Sequence, residues 1–574
     1  MIKTTRSLIL LACLALFAAP LFAGSVTVTW DPNTEPDVTG YVVFYGTQSG
    51  VYISNHNVGN VTTCTVDNLT AGQTYYFAVQ AVSASGLTSP LSQEVVATIP
   101  GGTPTETETD WMARFGVTDM TADNDGDGVI NRDEYANGTD PTLPNTWILA
   151  EGATGTFNAR LAIANPGTDT AEITVKFLRQ GSTPIVQTYS IPGLSRKTIK
   201  MNDIPGLGWT SVSTEITTQR GGVVVERTMT WNGPDKMDSA HTGKAVSAPS
   251  TTWFFAEGDA GVFNTYLLLA NGNAVDVTVN VEYMPINGPA FTETYVVPAS
   301  GRQTILANNI AKLTDVSFGM NISASAPINA ERAMYFSTAD TYYKGGHDSP
   351  GVEAASTTLY IAEGHTGPMF TEYILLSNPN AAPTTATVRY LTPSGTVITR
   401  TYAMAAKTRT TILVNDIPGL GYTDVSASIT ATLPIVAERS MYWPGTWGQW
   451  QEGHNSTALS AIGTKWALAE GETGGTHNIM SYILLANPNG QDATVKVTII
   501  RDNGLAPVVF TKTVKANTRQ TICSTDLPLQ SGETFGAVVE STNGVSVAVE
   551  RSVYWDGSGK TWTAGTNETG VLLK

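Results

Sequence analysis

The sequence predicts an all-β chain built from tandem β-sandwiches, and three observations carry that reading. Short runs rich in Val, Ile, Thr and Tyr alternate with Gly, Pro and Asn at the spacing of sandwich strands. A block of about 106 residues recurs four times after residue 145. Only 14% of residues are charged, against about 25% in an ordinary soluble domain, so Thr, Ser and Asn must face much of the solvent. The length of 574 residues leaves room for several domains, and 12 Trp with 41% hydrophobic content speak against disorder. A net charge of -17 disfavours nucleic acid as a partner, because binding phosphates needs a basic face.

Taken in order, Met1–Ala23 reads as a cleaved secretory signal, with Lys3 and Arg6 ahead of an apolar run from Leu8 to Phe22. Leu10-Leu11-Ala12-Cys13 resembles a lipoprotein box, but the apolar stretch before it is too short for one. No later run approaches the roughly 20 apolar residues of a membrane helix, so no membrane span is expected. Cys64 and Cys523 fall in different predicted domains and are expected to be small core residues rather than a bridge.

Residues 25–98 carry Trp30-Asp31-Pro32, then Tyr41-x-Val43-x-Tyr45-Gly46, then Leu69-Thr70-x-Gly72-x-x-Tyr75-x-Phe77-x-Val79-x-Ala81. This pattern resembles a bacterial fibronectin type III domain, a resemblance that implies a complete β-sandwich. Residues 99–110 form a Pro, Gly, Thr and Glu linker, and residues 111–145 an acidic module.

The repeat is marked by Ala-Glu-Gly at Ala150, Ala256, Ala362 and Ala469, at successive offsets of 106, 106 and 107 residues. Solenoid repeats run to about 20–50 residues and cannot bury a core alone, so this longer period describes whole domains. The expected boundaries are 146–250, 251–356, 357–463 and 464–574. The set resembles the β-repeats of large bacterial surface proteins. With the first sandwich, the expected fold class is tandem Ig-like and fibronectin type III-like β-sandwiches joined by a short calcium-binding loop module.

Each copy closes on Glu-Arg followed by an apolar or aromatic run, beginning at Glu226, Glu331, Glu438 and Glu550. Strand alternation in Pro434–Trp443 sets Ile435, Ala437, Arg439, Met441 and Trp443 on one face, and Glu438, Ser440 and Tyr442 on the other. An Arg on an apolar face needs a carboxylate, and the expected partner is the Ala-Glu-Gly glutamate of the same copy: Glu151, Glu257, Glu363 or Glu470. His241, His347 and His454 follow at matched positions and read as loop hydrogen-bonding residues, since no companion ligands lie at metal spacing.

The most specific motif is Asp123-Asn-Asp125-Gly-Asp127-Gly128-Val129-Ile-Asn131-Arg-Asp-Glu134, which fits the twelve-residue loop of an EF-hand. The expected calcium ligands are Asp123, Asp125, Asp127, the Val129 carbonyl, Asn131 and Glu134, with Gly128 allowing the sharp turn. A short helix from Asp110, with Asp110 as its cap and Gly116 as its stop, precedes the loop. The block resembles the thrombospondin type 3-like and EF-hand-like modules of bacterial secreted proteins. It lacks two long helices and a paired loop, which favours a structural site over a switch.

Gly557-Ser-Gly-Lys-Thr561 echoes a phosphate loop, but Tyr554 stands where its first Gly belongs. No catalytic motif is present, so no catalytic residue and no enzyme activity are expected. The expected function is a non-catalytic exported structural or adhesive protein, secreted or at the cell surface, with an extracellular protein or glycan as partner. The alternative is a carbohydrate-binding accessory or scaffold protein of an extracellular polysaccharide-degrading system, with Trp447 and Trp450 as its candidate platforms.

Overall fold

The computed structural model describes residues 26–573, except 31, 34, 36, 67–68, 70–73, 99–106, 128, 180–181, 339–340, 445–449 and 503. The expected signal segment, most of the linker, Gly128 and Trp447 lie outside the described residues. The chain is nearly all β and forms two compact units, Met1–Asn124 with Val129–Pro141, and Asp125–Gly128 with Thr142–Lys574.

In the first unit, Val26–Thr29 pairs with Thr63–Val66. A second sheet runs in the order Ser54–Gly59, Val38–Gly46, Thr74–Ser83 and Val95–Thr98. Alternating residues of its central strands, Tyr41 and Val43 against Phe77, Val79 and Ala81, build the core with Trp30. The Trp30 and Tyr41 rings meet edge-on at 5.4 Å. Cys64 is a free thiol in this core, as the sequence suggests. Cys523, also free, is half-exposed rather than core, because its strand turns that side outward.

A helix spans Glu108–Phe115. Its cap is Thr107 rather than Asp110: Thr107 Oγ1 accepts the Asp110 N–H at 3.2 Å and donates to Asp110 Oδ2 at 2.7 Å. This reciprocal pair fixes the first turn three residues earlier than a cap at Asp110 would. Gly116 ends the helix at φ 70°. Trp111 is buried from it against Tyr135 of a second helix, Asn131–Asn137, at 5.5 Å.

In the second unit the first copy shows the plan. Ser182–Ile191, Ala171–Arg179, Ser213–Arg220 and Thr146–Leu149 form one sheet in that order. Ser239–Lys244, Val224–Trp231, Asn158–Asn165 and Ser195–Lys200 form the facing one. Ala171, Ile173, Val175 and Phe177 alternate inward between them, the period-2 pattern of a half-buried strand. In the second and third copies a single long strand, Phe318–Phe336 or Ser426–Trp443, passes through both sheets.

The sequence suggests a string of domains, and the structure closes them into a ring. The inner edge strands Ser239–Lys244, Gly345–Pro350, Glu452–Thr457 and Lys560–Thr569 each touch the next, and the last touches the first. Ser195 and Arg196 of the first copy also pair in parallel with Arg501 and Asp502 of the fourth.

Close packing at the centre selects the residue type. Gly346, Gly453 and Gly565 lie opposite Tyr335, Tyr442 and Tyr554, where an added Cβ would stand under 3.0 Å from the ring. In the first copy the strand carries Thr230 instead of Tyr, and the facing residue is Ala240.

Candidate functional sites

In the acidic loop, one carboxylate oxygen from each of Asp123, Asp125 and Asp127 lies within 4.8 Å of the others. The Asp125 carboxylate also accepts the Asp127 N–H at 3.2 Å. Glu134 is fully buried and stands outside that trio, with Oε1 3.4 Å from Thr139 Oγ1. Asn131 is likewise buried, donating through Nδ2 to the Asp119 carbonyl at 2.6 Å and to Asn124 Oδ1 at 3.1 Å. Val129 is half-buried.

The repeated charged residues meet at the four junctions of the ring. Arg227 donates to Glu151 of its own copy at 3.2 Å, and to Glu331 and Asp348 of the second copy at 3.0 and 2.6 Å. Arg332 lies 3.7 Å from Glu257 and bonds Glu438 of the third copy at 2.6 Å. Arg439 bonds Glu363 at 2.9 Å and lies 3.4 Å from Glu550 of the fourth. Arg551 closes the circle on Glu226 of the first copy. The expected same-copy pairing is thus present in three copies. In the fourth, Glu470 takes Arg160 of the first copy instead, at 2.6 Å.

The other oxygen of each Glu-Arg glutamate grips the backbone of the preceding copy. Ala150, Ala256, Ala362 and Ala469 donate their N–H groups to Glu331, Glu438, Glu550 and Glu226 at 2.5, 2.6, 2.6 and 2.8 Å. One carboxylate therefore holds both the Arg and the Ala-Glu-Gly turn of its neighbour. Breaking such a buried pair costs about 3–5 kcal/mol, although the intact pair contributes far less against an apolar replacement. Its main effect is to fix which surface meets which.

The three histidines lie in inner edge strands and are buried, not in loops. Their Nε2 atoms bond the tyrosine of the next copy: His241 with Tyr335 at 3.0 Å, His347 with Tyr442 at 2.9 Å, His454 with Tyr554 at 2.8 Å. Those hydroxyls in turn donate to Glu151, Glu257 and Glu363 at 3.0, 3.2 and 3.0 Å. Burial drives His241 down to about 4 and His454 to about 3, with His347 also well below its ordinary value, so all three are neutral near pH 7.

A second acidic group with metal-ligand atoms in reach is Glu151, His241 and Asp348. Its counterparts explain it without an ion. Asn455 and Asn567 stand at the position of Asp348 and donate Nδ2 to Glu257 and Glu363 at 2.9 and 2.5 Å. Burial, and then the charge of Glu151, push the Asp348 carboxyl well above the usual range. When protonated, Asp348 supplies Glu151 with the donor that asparagine supplies elsewhere.

Trp450 is no exposed platform. It is 5% exposed and stacks on Tyr442 with centroids 4.2 Å apart. The two most exposed aromatics among the described residues are Trp209 and Tyr422, 82% and 76% exposed, at equivalent positions of the first and third copies. Each ring covers a glycine, Gly155 or Gly367, and leaves no room there for a Cβ. Sequence reading missed these two, Arg160 and the repeated tyrosines. Aligning the copies sets Trp209 against Tyr422, and shows Arg160 as the one departure from Tyr266, Tyr373 and Tyr482.

Fold and junctions define an all-β protein in which a fibronectin type III domain precedes a closed ring of β-sandwich units. Residues 19–98 match the fibronectin type III domain family. Residues 217–525, more than half of the chain, match a family of unknown function (DUF5719), and the chain belongs to that family. Chitinase A1 of Niallia circulans is 29% identical over 188 residues, covering 29% of this chain and 26% of that protein. A Kelch domain-containing protein of Saccharolobus solfataricus is 41% identical over 80 residues, 14% of this chain and 10% of its own length. The chain thus spans about a quarter and a tenth of these curated relatives. The sixth fibronectin type III domain of human fibronectin type III domain containing protein 3 is 25% identical, covers 17% of this chain and 90% of its own, and gives a TM-score of 0.14.

Proposed function

We propose that the chain is an exported, non-catalytic protein that presents a rigid ring of β-sandwiches to an extracellular partner, stiffened near its start by calcium. The carrying observation is that the charged residues recurring at matched positions are buried and engaged in joining one copy to the next. Groups committed to such contacts are poorly suited to turnover, where a base or nucleophile must meet substrate. Among the described residues, no helix is long and apolar enough to cross a membrane. Asp123, Asp125, Asp127, Asn131, Glu134 and the Val129 carbonyl would hold calcium; the three clustered aspartates and the two buried helix residues support that set.

The glycan reading draws on one further observation, the exposed rings of Trp209 and Tyr422 laid over glycines. A flat exposed aromatic suits the apolar face of a sugar. The relative named as a chitinase adds to this reading, as does the fibronectin type III domain. Binding of the secreted chain to a panel of insoluble polysaccharides, alone and as Trp209→Ala/Tyr422→Ala, separates the two readings. Retention that the double variant loses favours glycan binding; no retention by either leaves the protein-partner reading standing.

A further inference from the structure

Three of the four ring junctions are sealed in the same way at three matched positions. The first is an arginine. Arg409 Nη1 donates to the Gly258 and Phe318 carbonyls of the preceding copy at 2.9 and 3.2 Å. Arg519 bonds Gly364, and Arg196 bonds the Ala469 carbonyl at 3.1 Å and Asp502 at 3.1 Å. The second lies two residues earlier, where Lys407 pairs with Glu282 at 2.8 Å and Asn517 accepts from Arg389 at 2.7 Å. At the seam between fourth and first copies, backbone pairing of Ser195 with Arg501 serves the same purpose. The third is apolar: Val436, Ala548 and Val224 are buried in clusters with Ala256, Ala362 and Ala469.

The junction between the first and second copies departs at all three. Arg302 is only 8% exposed, and its Nη1 has no hydrogen-bond partner. Ser300, too short to bridge, stands in the second position. Asn329, 5% exposed and with its Oδ1 unpartnered, replaces the apolar residue. All three line one cavity of about 390 Å³. That size lies within the usual range of about 300–1,000 Å³ for small-molecule sites. Burial pulls the Arg302 guanidinium below its ordinary value, with Glu151 and Glu331 acting in the opposite sense.

We propose that this cavity binds a small carboxylate with an adjacent hydroxyl, Arg302 taking the carboxylate and Asn329 Oδ1 accepting the hydroxyl proton. A buried guanidinium N–H without an acceptor is costly, and a carboxylate answers both the charge and the planar donors of the group. An amide oxygen at hydrogen-bond range of that ligand needs a donor, which a hydroxyl supplies. Two acids also line the cavity and are already engaged: Glu215 with Lys176 at 2.7 Å, and Asp127 with the Asn145 N–H at 2.6 Å. No aromatic ring lines it among the described residues, so recognition is polar rather than by stacking. The chemistry is shared by free α-hydroxy acids and by uronic acid sugars. Apart from Asp127, which also belongs to the proposed calcium set, the cavity shares no residue with the function proposed above.

The test is calorimetric titration of the full chain with lactate and with glucuronate, using glucose and the methyl ester of glucuronate as neutral controls. Binding of at least one acid, with neither control binding, is expected. Glucuronate alone points to a glycan source, and lactate, alone or with glucuronate, to a free hydroxy acid. Affinity should fall at least tenfold in Arg302→Gln and in Asn329→Val. The second variant keeps the fold, since valine fills that position in the first and third copies. Arg409→Gln, at a sealed junction, should leave affinity within twofold. No heat with either acid, equal binding of the neutral controls, or unchanged affinity in Asn329→Val overturns the proposal.

Discussion

Arg439 is fully buried, and its charge is answered by Glu363 of its own copy and by Glu550 of the next. Replacing it by methionine fills similar space but leaves two buried carboxylates without their cation. The expected loss is about 3–5 kcal/mol in chemical denaturation, while Arg400→Met, on an exposed strand position, should change little.

The buried histidines set an acid limit. Their folded values lie below the ordinary 6.5, so below that pH the unfolded chain binds more protons than the folded one. Stability is therefore complete above about 6.5 and is lost as pH falls towards about 4 for His241 and about 3 for His454. His241 alone accounts for something on the order of 3 kcal/mol by pH 4. Asp348 acts in the opposite sense: its raised carboxyl stabilises the fold below its unfolded value, and that contribution is lost as pH rises through the folded one. Asp348→Asn, which copies the third and fourth units, should flatten that alkaline loss in denaturation curves taken across pH. A stability independent of pH between 4 and 7 would sink the assignment of the histidines.

At the scale of elements, alternation along Pro434–Trp443 correctly sets Arg439 and Glu438 on opposite faces. That period reveals a face but not what lies across it, so the hold of each glutamate on the neighbouring copy was not legible. Position after the closing strand suggests a loop for the histidines, whereas they lie in a further strand that carries Gly345-Gly346 or Gly453 in two of the copies. The glycines are there because a tyrosine ring lies across the strand. Trp450 was misread for a related reason: sequence shows an aromatic after the closing strand, but not the Tyr442 ring beneath it.

In the acidic loop the convergence of the aspartates was legible, since three carboxylates two residues apart must meet if the chain turns. Calcium at about 1 mM and a Kd of about 10⁻⁴ M would stabilise the folded loop by about 1.4 kcal/mol. Scanning calorimetry of the full chain should show a transition that chelator lowers and that Asp125→Ala/Glu134→Ala makes insensitive to calcium. A chelator effect that survives the double variant would place the ion elsewhere.

At the scale of the second unit, the sparse charge acquires a structural meaning. Much of it is spent inside, in four arginine-centred junctions around a polar axis. At that axis Glu452 accepts N–H groups from Ala240, Gly346 and Gly453. Three junctions are also tied by the chain itself. The fourth, between first and last copies, has no covalent link and lacks the His–Tyr pair, with Thr566 and Thr230 in its place. It is held by Arg160–Glu470, Arg196–Asp502 and Arg551–Glu226. Closure therefore stands or falls at this seam.

The most direct test is a cross-link across it. With Cys64 and Cys523 replaced by serine, Ser195→Cys and Arg501→Cys introduce thiols at positions that pair across parallel strands, within the reach of a disulfide. Mild oxidation of the native chain should give an intramolecular bond in most molecules, seen as a faster-migrating monomer on a non-reducing gel and lost on reduction. Thiols that stay free, or that join only between molecules, would mean that the four units form an open string.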